Sequence, residues 1–365
     1  MKNKKINALI ISVLISVAAE HALAKEYIAA PIHPHNIAIV DTEKFSVVKI
    51  LNIDNSHTPA TTLSISPEGK FVYAIANGSQ SVVKIDIASG ANVGRIDMST
   101  PGEKVTAMWG MSLSPDGKTI VVYQNPVKML LTEYQVQPTK IAFYDSETLK
   151  LKFTAPAPRQ IATLMFSTDG KKLYGMGREM YVFSALDGKK IDQMPIQSWS
   201  SDKNFPPDLL NVWSQYETSN MVVAPYYLKL RNKSDDDPEV FQTGLYTLDL
   251  RTGAQKLVNV EPTKSVYFSA TASPDHKRAY GVYNVLQSFD LTKEGKPIKQ
   301  IPLPHTYYTV HVTPDNKNVW LGGAAADFLV LNAETLEKVA QVEIPGGGHM
   351  SNNAVRMFSV KDGSW

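Results

Sequence analysis

His305, Tyr307 and Tyr308 stand together in the stretch IPLPHTYYTV, residues 301–310, just before an otherwise plain apolar run. An imidazole exchanges protons near neutral pH, and a phenol joins an apolar ring to a polar hydroxyl. Such side chains suit proton transfer or a partly wet binding surface. No acidic residue accompanies them in this stretch, so the sequence favours a binding role here over self-sufficient catalysis.

Other residues that could bind a metal or catalyse a reaction form less complete patterns. His33 and His35 would share one face of a strand, but no third ligand stands near them, so we expect no metal site. The acidic run 235–237 lacks the glycine turn and downstream glutamate of a calcium loop, which favours a solvated loop. Nucleophile-elbow and zinc-protease motifs are absent from the sequence. We therefore predict neither catalytic residues nor a metal site in this chain.

The chain contains no cysteine. Covalent haem attachment, iron–sulfur clusters and cysteine zinc sites all require cysteine, so this chain cannot supply them. A quinone cofactor cross-linked through cysteine is excluded for the same reason. We expect no cofactor bound covalently by this chain.

The N-terminus predicts export. A basic start, an apolar run from Ile6 to Ala19 and the site Ala22-Leu23-Ala24 are typical of a signal peptide, residues 1–24. Its removal leaves 34 basic and 34 acidic residues, which does not favour nucleic-acid binding. No later segment is apolar enough to cross a bilayer, so we expect no membrane partner. Residues 25–365 are predicted to form a single periplasmic domain.

A repeat runs through this domain. Text similar to LSLSPDGK recurs, with steps of 48, 53, 106 and 40 residues between its anchoring hydroxyls. Because 106 is twice 53, one degenerate copy is predicted near residues 211–227. The anchors are Ser66, Ser114, Ser167, Ser273 and Thr313.

Each unit reads as four short strands joined by turns rich in Asp, Gly and Pro, which is typical of a propeller blade. The sequence therefore predicts an all-β protein, a seven-bladed β-propeller of four-stranded antiparallel blades. The first unit lacks an anchored opening strand, and the last apolar segment, residues 353–360, has no unit of its own. We expect this C-terminal strand to pair into the first blade and close the ring.

Aromatic residues accumulate at one end of the predicted blades. The loops that lead into the inner strands share that end with the turns between second and third strands. Two long insertions, starting at Asn125 and Tyr226, fall in such turns. Rings with a polar tip suit a binding face, although aromatics here could equally pack between neighbouring blades.

Several strings outside the repeat carry a more specific resemblance. They are PIQSW (195–199), APRQI (157–161), YNVLQSFDL (283–291) and IPLPHTYYTV (301–310), joined by DTEKFSVVKI, GRIDMST, EYQVQPTKIAFYDSETL and NAETLEKVAQVEIPG. These strings resemble the beta subunit of quinohemoprotein amine dehydrogenase across essentially the whole mature chain.

The resemblance implies a cofactor-free subunit of a periplasmic heterotrimer that oxidises primary amines to aldehydes. In that family a dihaem cytochrome c alpha subunit carries haem c, and a small gamma subunit carries cysteine tryptophylquinone. The beta subunit holds both and walls the active-site pocket. Two alternatives stay open: a stand-alone propeller binding protein, and a propeller lactonase or hydrolase. Candidates for subunit contact or the pocket wall are Trp109, Arg159, Gln160, Trp199, Tyr267, Phe268, Asn284, His305, Tyr307 and Tyr308.

Overall fold

The structure, a computed structural model, describes residues 24–210, 215–350 and 354–360. Within these ranges the chain is built of β-strands, with only two single-turn 3-10 helices, Leu291–Lys293 and Pro345–Gly347. The prediction of an all-β fold made of antiparallel sheets is confirmed. The predicted signal peptide lies, except for its last residue, outside the described residues. Those residues include no helix with the length and apolar character that a membrane span needs.

Six sheets contain all the strands of the described residues. Sheet 1 comprises β1 (Lys25–Ile32), β2 (Asn36–Asp41), β3 (Ser46–Asn52) and β30 (Arg356–Val360). Sheet 2 comprises β4 (Thr62–Ile65), β5 (Phe71–Ala76), β6 (Ser81–Asp86) and β7 (Asn92–Asp97). Sheet 3 comprises β8 (Glu103–Thr106), β9 (Met111–Leu113), β10 (Thr119–Met129), β11 (Tyr134–Val136), β12 (Lys140–Asp145) and β13 (Leu151–Pro156).

Sheet 4 comprises β14 (Thr163–Phe166), β15 (Lys172–Met176), β16 (Glu179–Ser184) and β17 (Lys190–Pro195). Sheet 5 is the largest and comprises β18 (Asp208–Leu209), β19 (Met221–Lys229), β20 (Phe241–Asp249), β21 (Gln255–Pro262), β22 (Ser269–Ala272), β23 (Arg278–Val282), β24 (Val285–Asp290) and β25 (Lys296–Pro302). Sheet 6 comprises β26 (Thr309–Val312), β27 (Asn318–Gly322), β28 (Asp327–Asn332) and β29 (Lys338–Glu343).

The repeated hydroxyl closes the turn after each anchored strand. Ser114 donates to Oδ1 of Asp116 at 2.6 Å and accepts the N–H of Thr119 at 2.9 Å. Gly117 holds φ at +72°, a left-handed conformation that a side chain would strain. Similar bonds recur at Ser167, Ser273 and Thr313. The repeated text therefore encodes one local turn. We call the end of the sheets that carries these turns the turn face.

Packing between sheets supplies the core. Seven clusters of buried apolar side chains lie between successive groups of strands in chain order. The cluster around Trp320 and Phe328 of sheet 6 includes Ile28 and Val40 of sheet 1, so the last and first sheets pack together. β30 also pairs antiparallel with β1, with Phe358 opposite Tyr27.

The degenerate copy departs from the four-stranded pattern in an informative way. β19 pairs directly with β22, with Val223 opposite Ala270, and this merges two units into the single sheet 5. Gln215, which precedes β19, instead accepts bonds from the Arg356 guanidinium at 3.1 Å and the Thr271 hydroxyl at 3.1 Å. Glu217 forms an ion pair with Arg356 at 3.1 Å. Residues 211–214, where the sequence predicts the start of this copy, lie outside the described residues.

Candidate functional site

The loops that lead into the inner strands meet the turns between second and third strands at the end of the sheets opposite the turn face. This follows because neighbouring strands are antiparallel, and we call this end the loop face. Backbone bonds tie its loops together around sheets 5 and 6. The N–H of Tyr307 bonds to the carbonyl of Tyr283 at 2.8 Å, and that of Leu303 bonds to Asn284 at 3.1 Å. The N–H of Phe268 likewise bonds to the carbonyl of Val282 at 2.9 Å.

Three partly exposed rings form an aromatic ledge on this face. The rings of Phe268 and Tyr283 lie 4.0 Å apart, and those of Phe268 and Tyr308 are stacked at 5.6 Å. Tyr283 and Tyr308 complete the triangle at 6.0 Å. Contacting rings of this kind stabilise one another beyond simple burial. The ledge therefore offers a preformed apolar surface with polar edges.

A buried carboxylate organises the histidine and tyrosine beside the ledge. Asp327, at the start of β28, accepts the hydroxyl hydrogen of Tyr307 on Oδ2 at 2.8 Å. Nε2 of His305 lies 2.9 Å from Oδ1 of Asp327, and the side-chain amide of Gln341 donates to Oδ2 at 3.2 Å. The rings of His305 and Tyr307 are also in contact, with centroids 4.2 Å apart. We call these four residues the Asp327 cluster.

The electrostatics of the Asp327 cluster suit positioning rather than proton abstraction. Burial, together with the hydrogen bond to Asp327, raises the pKa of Tyr307 far above its usual range. Tyr307 is therefore a permanent donor, and it is completely buried. His305 is about one-third exposed and presents the accessible edge of the cluster. The cluster thus fixes the loop that carries Tyr308 onto the ledge.

Tyr267 belongs to the core below this surface. Its ring packs edge-on against Phe289 at 5.7 Å, and its hydroxyl accepts a bond from Gln300 at 3.2 Å. Burial raises the pKa of Tyr267 to about 12, so the phenol stays neutral. The hydroxyl of Tyr227, on β19, contacts both the N–H and the carbonyl of Tyr267. Tyr267 and Tyr307 therefore hold the surface from beneath, whereas Phe268, His305 and Tyr308 form it.

A second group of candidate residues lies around sheet 4. Gln160, at φ +68°, lines an open cavity of about 500 Å³ together with Gly177, Arg178, Gln197 and residues 206–209. Arg159 is exposed next to it and bonds to the carbonyl of Gln137, at the base of the β10–β11 hairpin, at 3.4 Å. The structure thus separates Arg159 and Gln160 from the ledge residues, which lie on sheets 5 and 6.

The two tryptophans and the asparagine complete the candidate set. Trp109 is partly buried in the turn between β8 and β9, and its carbonyl accepts the N–H of Met111 at 2.9 Å. Trp199 packs against the core cluster between sheets 4 and 5, and its buried Nε1 has no acceptor among the described residues. Asn284 is exposed beside the ledge. These three occupy loop-face positions on different sheets.

Sequence reasoning missed Tyr283, Asp327 and Gln341. Tyr283 stands next to Asn284 in a string already singled out by resemblance, so it could have been included. Asp327 begins a third strand immediately after the turn GAAA, at the same end of the sheet as the histidine loop. Nothing local marks Gln341, because its contact depends on the register between β28 and β29.

One buried histidine, His311, lies on a strand and not in a loop of the loop face. His311 on β26 is buried, and its Nε2 has no hydrogen-bond partner among the described residues. Burial, with the positive charge of Arg356, lowers the pKa of His311 to about 3. A cavity of about 520 Å³ lies nearby on the turn face, and Arg356 and Glu217 contribute to its lining.

The described residues contain no group of three or more His, Asp or Glu that could hold a metal ion. What the loop face does present is an aromatic surface with polar edges, held from below by the hydrogen bonds of Tyr267 and Tyr307. Such a surface can bind and orient another molecule.

Comparison with known proteins supports the fold. No protein-family model matches this chain, and no curated protein matches it significantly. Among solved structures, Kuenenia stuttgartiensis hydrazine synthase superimposes with a TM-score of 0.59 at 14% identity, covering 83% of this chain and 90% of that one. A functionally unknown protein from Desulfotomaculum acetoxidans DSM 771 gives 0.58 at 11% identity, covering 92% and 99%. U3-55K gives 0.56 at 13% identity, covering 82% and 85%. Hydrazine synthase and U3-55K are propeller-like, so the likeness supports a β-propeller fold.

Proposed function

We propose that this chain is the cofactor-free beta subunit of a periplasmic quinohemoprotein amine dehydrogenase, an enzyme complex that oxidises primary amines to aldehydes. In this role the chain scaffolds a dihaem cytochrome c subunit and a small quinone-bearing subunit, and its loop face walls the shared amine pocket. The chemistry belongs to cysteine tryptophylquinone and haem c on the partners, while this chain supplies position and enclosure.

The observation that carries the proposal is where the resembling strings lie in the fold. The strings at 157–161 and 301–310 end in or cross a loop that leads into an inner strand, and the string at 195–199 ends in the loop between β17 and β18. The string at 283–291 starts in a turn of the same face. Two of them supply Tyr283 and Tyr308 of the ledge and His305 and Tyr307 of the Asp327 cluster. Residues that resemble the family therefore coincide with the surface best suited to docking.

The same proposal includes a closed ring of seven blades. Sheet 5 counts as two blades joined through the β19–β22 pairing, so the six sheets correspond to seven repeat units. Support comes from the seven apolar clusters, the last of which joins sheet 6 to sheet 1. The pairing of β30 with β1 supplies the inner strand that the first unit lacks in the sequence. A closed ring leaves no open edge between its first and last blades.

Export to the periplasm fits these features. β1 begins at Lys25, directly after the expected cleavage site at Ala24, and Lys25 already stands opposite Val360. Residues 1–24 would then be dispensable for the domain. We propose cleavage there, with assembly in the periplasm, where haem c and quinone subunits can join.

The direct test is purification of the native complex from the source periplasm, with a visible spectrum and a mass of the assembly. We expect haem absorbance, two further polypeptides and haem reduction on addition of a primary amine. A colourless chain that purifies alone and stays intact would overturn the proposal and favour a stand-alone binding propeller.

A further inference from the structure

The end of the β10–β11 hairpin, residues 127–136, carries the most exposed apolar side chains of sheet 3. Leu131 at its tip is fully exposed, Tyr134 is 77% exposed and Val136 is 58% exposed. Met129 and Leu130 are also more than two-fifths exposed. A soluble protein rarely leaves such a set of side chains together in water unless the surface binds something.

The hairpin separates its apolar and polar residues onto two faces. Val127 stands opposite Val136, and Met129 stands opposite Tyr134, so these four share one face. The alternate pair, Lys128 and Gln135, points to the other face. This apolar face is built by strand alternation, and the exposed Leu131 lies at the tip beyond it.

The backbone of β11 is open on its outer side. The bonds from Leu130 N–H to Glu133 and from Gln137 N–H to Pro126 set the pattern of the ladder. Alternation along the ladder then makes Lys128 and Gln135 a hydrogen-bonded pair, whereas Tyr134 and Val136 direct their N–H and C=O groups away from β10. Among the described residues β11 pairs with β10 alone. Such an edge accepts a further strand.

Charge argues for a neutral apolar occupant. β8 and the hairpin carry two acidic residues, Glu103 and Glu133, and two basic ones, Lys104 and Lys128. Glu103 lies opposite Lys128 on the polar face, and Lys104 lies opposite Val127, so a single basic residue borders the apolar face. An anionic membrane surface or a nucleic acid would require a basic excess. The chemistry fits another protein.

We propose that β11 is the docking edge for an extended segment of a partner subunit. The segment bonds to the outward N–H and C=O groups of Tyr134 and Val136. Every second side chain of the segment is apolar and lies beside Tyr134 and Val136, on the face that also carries Met129. This inference rests on the proposed function, because the partner subunits are those of the proposed complex. The bond between Arg159 and Gln137 connects this edge to the candidate residues around sheet 4.

Two pairs of variants test the proposal in the full complex, purified from the periplasm through a tag on this chain. Val136→Pro removes the outward N–H without touching the β10 ladder, and proline is tolerated on edge strands. Its control, Val136→Thr, keeps the N–H and the branched shape. Leu131→Asp places a charge on the apolar tip, and its control, Leu186→Asp, changes another highly exposed leucine, on the turn face.

We measure haem absorbance per chain and the dissociation constant of the complex by mass photometry on dilution, after circular dichroism has shown that each variant is folded. The proposal predicts that Val136→Pro and Leu131→Asp each weaken association about tenfold or more, which corresponds to loss of about 1.4 kcal/mol. Both controls should match the wild type.

The contrary outcomes are distinguishable. If all four variants assemble like the wild type, the partner docks elsewhere, and this inference fails while the proposed function stands. If the wild-type chain carries no haem-bearing partner, the proposed function fails and this inference fails with it. If the isolated chain is a dimer that Val136→Pro dissociates, the occupant is a second copy, which also overturns the proposal.

Discussion

The turn face and the loop face lie at opposite ends of the same strands but differ in how regular their connections are. On the turn face four units use the same short turn, in which a Ser or Thr hydroxyl bonds to an Asp two residues on and to a backbone N–H five residues on. On the loop face the described loops differ more in length and sequence, and rings, a hairpin and the Asp327 cluster replace the turn. The repeated turns stabilise the fold, and the loops at the opposite end provide a more variable surface.

Within the loop face there is a second contrast, between the Asp327 cluster and the hairpin. Both carboxylate oxygens of Asp327 are hydrogen-bonded within the chain, so a partner protein would not stabilise the cluster further. The hairpin has unpaired backbone groups and exposed apolar side chains, which are stabilised only by something outside the chain. The following variants separate stability from binding, beginning with the largest expected effect.

Asp327→Ala should cause the largest loss of stability on the loop face. It leaves the buried Tyr307 hydroxyl without an acceptor and frees His305 and Gln341, so we expect the free energy of unfolding to fall by about 3 kcal/mol. Asp327→Asn keeps the shape and should cost less. Urea unfolding measures both. A loss below 0.5 kcal/mol, on the order of an ordinary surface change, would mean that the cluster does not stabilise the loop.

Removing the ledge should affect binding far more than stability. The double variant Phe268→Ala, Tyr308→Ala deletes two partly exposed rings, and we expect association with partner subunits to weaken about thirtyfold, or about 2 kcal/mol. The KM for the amine should rise in parallel. Leu186→Ala, on the turn face, is the matched control. Equal assembly of the double variant and the control would remove the ledge from the interface.

His311, between the two faces, should make the fold sensitive to acid. The folded chain keeps this histidine neutral down to a pKa of about 3, whereas the unfolded chain protonates near pH 6.5. Stability therefore falls as the pH drops below 6.5, with about 2 kcal/mol lost between pH 7 and pH 5. Because glutamine does not titrate, His311→Gln should not lose this stability between pH 7 and pH 5. Parallel pH profiles for the two proteins would contradict the assignment.

Ser114→Ala on the turn face should have the smallest effect. It removes the hydroxyl that bonds to Asp116, and we expect about 1 kcal/mol lower stability at pH 7 with unchanged assembly. The Ser114 hydroxyl, followed by the Lys118 N–H, lowers the pKa of Asp116. The stabilisation from Asp116 is therefore present above about pH 4 and lost as the pH falls further. The deficit of the variant should shrink at pH 3, as measured by urea unfolding.

The sequence predicts what is local and misses what is distant. The Ser114 turn is encoded within six residues, so reading the repeat identifies the strands on either side and the all-β fold. The β19–β22 pairing could not be predicted from the sequence, because it accompanies a distant contact. Gln215 accepts a hydrogen bond from Arg356, which lies 141 residues further along the chain. His305 and Tyr307 were recognised as candidates, but their shared carboxylate, Asp327, lies 22 and 20 residues further on and meets them only through the register of sheet 6.

Amide hydrogen exchange of the isolated chain and of the native complex measures directly whether partners cover the loop face. We expect formation of the complex to slow exchange in the loop-face segments 133–137, 263–268 and 303–308. Exchange in the turns after Ser66, Ser114, Ser167, Ser273 and Thr313 should stay the same in both states. Slower exchange confined to those turns, or no difference between the two states, would contradict the claim that the loop face is the surface through which this chain works.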